Sequence, residues 1–198
     1  PPPPPPPPPH EPLGLKGSIG GGWLSGRLMR SGFGVFTARK LALLACAFLL
    51  MGGFVCIYNY IGFRLLDPPF SLSQSAIGAI FVVYLFGTVS SALTGEIASR
   101  LGRRKVLWLA ILLGLAGVTL TLSAHLGLII LGIVLVTVGF FGAHSVASSW
   151  VGRRALSDRA QASAVYLCMY YLGSSLLGTA GGWFFLHFGW PGVAGFFG

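Results

Sequence analysis

The sequence predicts an all-α membrane protein, a transmembrane helical bundle, and three observations predict it. Hydrophobic residues make up 54% of the 198 and charged residues only 9%, against roughly a quarter charged in a soluble domain. A soluble core of this size would need a charged surface that so few charges cannot cover. The charges present are gathered in short clusters between long apolar runs. The runs also have lengths that a bilayer dictates, since a hydrocarbon core of about 30 Å takes about 20 helical residues at about 1.5 Å each.

The first run, Leu41 to Phe63, has 23 uncharged residues and predicts a span over 41–63. Pro68 to Gly95 supplies 28 more, with a helix expected over 75–95, past the Pro68-Pro69 turn. Between Lys105 and Arg153 lie 47 residues without Lys, Arg, Asp or Glu. One helix of that length would reach about 70 Å, so the segment must fold back. Its most polar stretch, Ser123 to Gly127, divides it into spans over 106–123 and 127–150. A fifth span is expected over 162–186. A sixth begins at Pro191 and has only eight residues, so it reads as cut off, with helix twelve's absence expected to uncover Gly178 and Gly182. All thirteen prolines lie outside the five spans, as expected of a residue that breaks helices.

Residues 1–40 read as a Pro/Gly-rich linker. Pro1 to Pro9 form an unbroken proline run, which is extended polyproline II and serves as a spacer. Gly14 to Arg39 is glycine-rich and basic, with Leu24 and Leu28 one turn apart on a short segment suited to a membrane surface. The chain opens on proline without a secretory leader, and so reads as an internal piece of something longer.

The net charge of +9 would point a soluble protein toward nucleic acid. Here the basic residues cluster between spans rather than along one face, which excludes that partner. They set the orientation instead. If each span crosses once, Lys16, Arg27, Arg30, Arg39, Lys40, Arg100, Arg103, Arg104, Lys105, Arg153, Arg154 and Arg159 share one side, and only Arg64 falls on the other. The linker side is therefore expected to be cytoplasmic. Cys46, Cys56 and Cys168 lie in apolar stretches with no Cys-x-x-Cys pair and no histidine at metal spacing. They read as small buried hydrophobes, with neither metal nor cofactor implied.

The sharpest local signal is Gly95-Glu-Ile-Ala-Ser-Arg-Leu-Gly-Arg-Arg-Lys105, read as a tight basic loop with glycines allowing a close turn. It resembles the loop motif of the major facilitator superfamily, Gly-x-x-x-Asp-Arg-x-Gly-Arg-Arg, in its second copy between helices eight and nine. Gly95, Arg100, Gly102, Arg103 and Arg104 match, and Ser99 stands where the family usually has Asp. Longer stretches are similar to a YnfM-like branch of bacterial inner-membrane transporters: Phe48-Leu-Leu-Met-Gly-Gly-Phe54, Asn59-Tyr-Ile-Gly62, Gly139-Phe-Phe-Gly-Ala-His-Ser-Val-Ala-Ser-Ser-Trp150 and Tyr170-Tyr-Leu-Gly-Ser-Ser175. The resemblance implies a twelve-helix transporter of the inner membrane, of which this chain supplies helices seven to eleven and the start of twelve. Its implied partners are the lipid bilayer, the missing amino-terminal six-helix half and a small-molecule substrate, with proton-coupled efflux as the implied activity.

The polar residues within the spans are the candidate site. Asn59 lies between two tyrosines in the first span, Tyr84 in the second, and Tyr166, Tyr170 and Ser174 recur every four residues in the fifth. Such a stripe either lines a solute cavity or makes interhelical hydrogen bonds. The resemblance implies cavity lining. His144 is the only titratable residue well inside a span, either a proton relay or a packing histidine. No acidic residue lies mid-membrane, so a coupling carboxylate is expected in the other half. No Ser-His-Asp set, nucleotide loop or ligand cluster supports an enzyme. The competing reading is an inserted fragment without independent activity. Single cysteines at Asp67 and His125 should react with an impermeant maleimide in intact cells, and those at Ser99 and Ser157 should not. Outside labelling of the latter two overturns this topology.

Overall fold

The computed structural model describes residues 35–154 and 159–197, with side chains from 41–153 and 159–197. The chain divides after Arg39, and the expected linker falls outside the described residues except for 35–40, which form the start of the first helix. Among the described residues all regular structure is helical.

Helix α1, Val35–Leu66, runs without proline until Asp67-Pro68-Pro69, where the residue before a proline is driven out of the helical region. A turn closed by the Phe70 and Ser71 amides on the Asp67 carbonyl, at 3.2 and 3.1 Å, reverses the chain. Ser73 then caps α2, Gln74–Ile80, by accepting from the Ala76 amide at 3.2 Å, satisfying one of the donors that a helix start leaves open. A 3-10 turn, Phe81–Val83, joins α2 to α3, Tyr84–Leu101, with helical backbone throughout.

The turn after α3 corrects one expectation. Gly95 is not in a loop: α3 continues six residues past it, and space beside Gly95 is open. Glu96 to Arg100 stay helical, with Arg100 paired to Glu96 one turn away and Ala98 buried. The connection shrinks to Gly102 alone, at φ 91° and ψ 134°, a conformation glycine adopts without steric cost. Helix α4, Arg103–Leu120, starts at the next residue, so Arg103, Arg104 and Lys105 occupy its first turn.

A non-helical stretch over 121–125 returns the chain into α5, Leu126–Arg154. Helix α6, Arg159–Phe197, is bent at Gly189, whose φ of 61° and ψ of −155° separate a long limb from the short limb 190–197. Pro191 sits in the first turn of that short limb, where its missing N–H costs nothing. Phe196 stacks on Phe184 at 4.1 Å, folding the short limb back against the long one.

Among the described residues, three segments are long and apolar enough to cross a membrane: Leu41–Leu66, Gln74–Leu101 and Leu126–Arg153. Helix α4 is 18 residues long and opens on Arg-Arg-Lys, while α6 dilutes its apolar residues with tyrosine, serine and glycine. Large apolar side chains point outward in quantity, Leu186 at 83% and Leu85 at 65% exposure. An aqueous surface penalises that arrangement and a lipid one does not.

The helices meet where glycine removes the side chain between backbones. A Cβ on Gly117 of α4 would lie 2.6 Å from the Gly132 carbonyl of α5, and one on Gly139 of α5 would lie 2.6 Å from the Ala110 carbonyl. Gly173 of α6 faces the backbone of Phe48 on α1 so closely that a Cβ there would overlap the Phe48 carbonyl. Gly178 and Gly182 are covered by Val55 and Tyr60 of α1, which corrects the expectation that they face the place of a missing helix. On α3, Gly87 receives the Phe141 ring and Ser91 bonds the Phe141 carbonyl at 3.4 Å, whereas Gly95 adds nothing to this seam. Ser90 also donates to the Val138 carbonyl at 2.8 Å. Gly173→Ala should lower thermal stability of the purified protein in detergent by about 1–3 kcal/mol from overpacking. Gly95→Ala should raise it by about 0.5–1 kcal/mol, since an open helical glycine gains from a methyl. A stable Gly173→Ala protein would refute this contact.

Candidate functional site

Four helix faces converge on one aromatic wall. From α1 come Phe54 and Tyr58, from α3 Tyr84, and from α5 Phe140, Phe141 and His144. Tyr166 and Tyr170 join from α6. Their order follows from helical spacing: Phe54 and Tyr58 are four residues apart, as are Phe140 and His144, and Tyr166 and Tyr170, so each pair lies on one helix face. Phe54 stacks on Phe140 at 4.0 Å between centroids and meets Tyr84 edge-on at 5.7 Å. Tyr84 lies 5.0 Å from Tyr58 and 6.0 Å from Phe141. His144 lies 4.8 Å from Tyr170 and 5.9 Å from Phe140, nearly parallel to the latter.

Two hydrogen-bonded pairs are built into the wall. Tyr58 and Thr137 are 2.6 Å apart. Thr137 also donates to the Ile133 carbonyl at 2.8 Å, so the Tyr58 hydroxyl is the donor toward Thr137. Tyr166, 2% exposed, bonds His144 Nδ1 at 3.1 Å. No buried side-chain nitrogen or oxygen among the described residues lacks a partner, which is what a polar group in hydrocarbon requires.

Of the residues singled out from sequence, Tyr84, His144, Tyr166 and Tyr170 come together here. Tyr166 is buried as a support for His144, while Tyr84, His144 and Tyr170 are half-buried. Ser174, half-buried, lies one turn further along α6. Asn59 is exposed and stands apart from the wall, its Nδ2 3.7 Å from where a Gly178 Cβ would be. One residue separates it from Tyr58, and that step turns the helix by about 100°. Sequence reasoning missed Phe54, Tyr58, Thr137, Phe140 and Phe141. The four-residue spacing of Phe54 with Tyr58, and of Thr137 with Phe141, was the available signal.

A second cavity of about 320 Å³ opens between α1, α4 and the end of α6, lined by residues such as Leu49, Gly53, Ile111, Leu115, Leu177 and Phe197. It is apolar and shares Phe54 and Phe140 with the wall. Among the described residues, no group of three or more His, Cys, Asp or Glu is placed to hold a metal.

A helical bundle with long apolar segments and a one-glycine basic turn defines a multi-pass membrane protein. The sequence comparisons agree, and residues 43–198 match the model of the Major Facilitator Superfamily, so the chain belongs to that family. It is 48% identical over 171 residues to the uncharacterized MFS-type transporter YybF of Bacillus subtilis, a match covering 86% of this chain and 42% of the relative. It is 48% identical over 154 residues to the inner membrane transport protein YnfM of Escherichia coli, covering 78% and 37% respectively. An uncharacterized transporter of Buchnera aphidicola, from Schizaphis graminum, is 44% identical over 156 residues. The chain thus spans about two fifths of the length of these curated relatives. No solved structure matches it. Within the wall, Tyr58→Phe keeps the ring and removes the bond to Thr137, so it should cost about 1 kcal/mol of stability. Thermal unfolding in detergent measures this, and an unchanged midpoint would show that the bond contributes nothing.

Proposed function

We propose that this chain forms half of a transporter that moves a small organic solute across a bacterial inner membrane by alternating access. The observation that carries the reading is the gathering of Tyr84, His144 and Tyr170 from three helices onto one half-buried face. Soluble-protein packing gives no reason for it, whereas a solute pathway needs apolar surface with a few placed polar groups. Ser174 lies one turn further along α6, Asn59 is a separate lining candidate on another face of α1, and His144 is the candidate proton relay of the wall. The opposite wall is the amino-terminal six-helix half of the same protein. The amino-terminal side of α1 lies in the cytoplasm, by the distribution of basic residues. Efflux driven by protons fits the family resemblance, with the coupling carboxylate in the other half because the spans here contain none. The basic turn at Gly102 anchors the cytoplasmic end of α3 and α4, its Arg103 and Arg104 held out of the bilayer.

The 320 Å³ cavity has a place in the same reading. The short limb 190–197 leads to it, with Phe197 against Gly53, and the remainder of helix twelve fills it in the whole protein. Inserted but inactive fragment is the competing reading, and it draws on the two-fifths coverage. Reconstitution separates the two. The full-length protein should carry solute, and Tyr170→Ala or Asn59→Ala should reduce flux about tenfold with membrane insertion intact. The 198-residue chain alone should insert and transport nothing. Flux by that chain alone would defeat the half-transporter reading and point to a self-sufficient oligomer, and unchanged kinetics in both variants would return those residues to packing.

A further inference from the structure

The wall at His144 is built as a hydrogen-bond donor. Tyr166 is almost fully buried, and among the described residues its hydroxyl hydrogen has one acceptor within reach, His144 Nδ1 at 3.1 Å. A buried hydroxyl that kept its hydrogen unbonded would be costly, so the hydroxyl donates and Nδ1 accepts. A neutral imidazole carries its hydrogen on one nitrogen only, which places it on Nε2. Were the ring protonated, Nε2 would still carry a hydrogen. In either state the second nitrogen presents N–H.

That N–H is open. The ring is half-buried and Nε2 has no protein acceptor among the described residues, yet no buried side-chain nitrogen there is unpaired. Nε2 therefore lies on the accessible side of the wall. Phe140 and Tyr170 flank the ring in near-stacked and tilted geometry, which fixes the direction of that donor. The rings packed against it are Phe140 of α5 and Tyr166 and Tyr170 of α6. No Asp or Glu lies between 97 and 157 or beyond 158, nor between 68 and 95. No carboxylate of this chain therefore belongs to the wall.

We propose that His144 Nε2–H binds the carboxylate of a planar organic anion, with the half-buried rings of Tyr84, Phe141 and Tyr170 receiving its aromatic or apolar body. Tyr166 is the positioning residue that sets the tautomer. The assignment rests on the transporter reading and names the substrate class of its site. An organic cation offers this N–H no acceptor, whereas a carboxylate accepts from it.

The test uses full-length protein in detergent and two probes of matched body and opposite charge, 2-naphthoate and 2-naphthylmethylammonium. Fluorescence titration should show naphthoate binding at least about tenfold tighter, the ratio expected of a hydrogen bond to a charged acceptor. His144→Ala should remove that preference, bringing the two affinities to within about twofold of each other. Tyr166→Phe should weaken naphthoate several-fold, and in ¹⁵N-histidine-labelled protein it should shift the His144 nitrogen resonances away from the Nε2–H tautomer; loss of packing alone would not move that signature in a folded variant. Equal or tighter binding of the ammonium, naphthoate affinity indifferent to His144→Ala, or no binding of either probe overturns the proposal. Solute flux measured in parallel keeps the two readings apart. Naphthoate binding without flux of any solute defeats the transporter reading alone, and flux without anion preference defeats this one alone.

Discussion

Close approach of helix backbones at glycine is the constraint on which the rest of this bundle depends. In lipid, apolar side chains gain little by leaving one hydrocarbon surface for another, so helices associate through packing and interhelical hydrogen bonds. The contacts of Gly173 with Phe48, Gly117 with Gly132, and Gly139 with Ala110 leave no room for a side chain at all. Each brings one helix to within backbone distance of its neighbour. The aromatic wall follows from those distances. Phe54 reaches Phe140 at 4.0 Å, and Tyr166 reaches His144, because α1, α5 and α6 are drawn in by small residues elsewhere along their length.

At the end remote from the basic clusters, the bundle is closed by a different interaction. Arg64, near the end of α1, donates to the carbonyls of Thr121 and of Ser123, the latter at 2.8 Å. These carbonyls follow the end of α4, where the helix dipole is negative and unpaired acceptors collect. Phe70 and Trp190 each stand 5.6 Å from the guanidinium, and the Trp190 indole N–H donates to the Thr121 hydroxyl at 3.2 Å. One cation thus joins four pieces of chain: the end of α1, the turn before α2, the α4–α5 connection and the bend in α6. The bend is what makes it possible. Gly189 at positive φ turns Trp190 inward, where it is 4% exposed.

Much of this was legible in the sequence, and the reason is physical. Charge-free runs of bilayer length report helices directly, and the fold-back near Ser123 to Gly127 was readable because one helix of 47 residues cannot fit the membrane. Tyr166 and Tyr170 announced their common face by spacing. What was illegible depended on partners distant in the chain. Nothing local distinguishes Gly95 from Gly102, since both are glycines within a basic segment. The difference arises because Glu96 to Arg100 can continue the helix and pack Ala98, leaving only Gly102 to turn. Asn59 stood out as an amide within a span, but which face of α1 meets the wall is set by how α1 packs on its neighbours, and Asn59 lies about 100° around the helix from Tyr58. Thr137 gave no sign of pairing with Tyr58, which is 79 residues away.

The same geometry separates the parts of the bundle that hold it together from the part that can meet a solute. Polar groups deep in the seams, such as Thr137, Ser90 and the Tyr166 hydroxyl, are already bonded to protein, so they have no capacity left for a ligand. Arg64 is likewise committed to carbonyls and rings. The half-buried edges of Tyr84, His144 and Tyr170 differ, since each is held in place by neighbours yet keeps accessible surface. The function proposed above, a half that rocks as a rigid body, would need both properties in one bundle: fixed seams that keep the wall's shape during motion, and a face whose ring positions those seams determine. Small residues and capped carbonyls supply the first, and the four-residue spacing of aromatics along α1, α5 and α6 supplies the second.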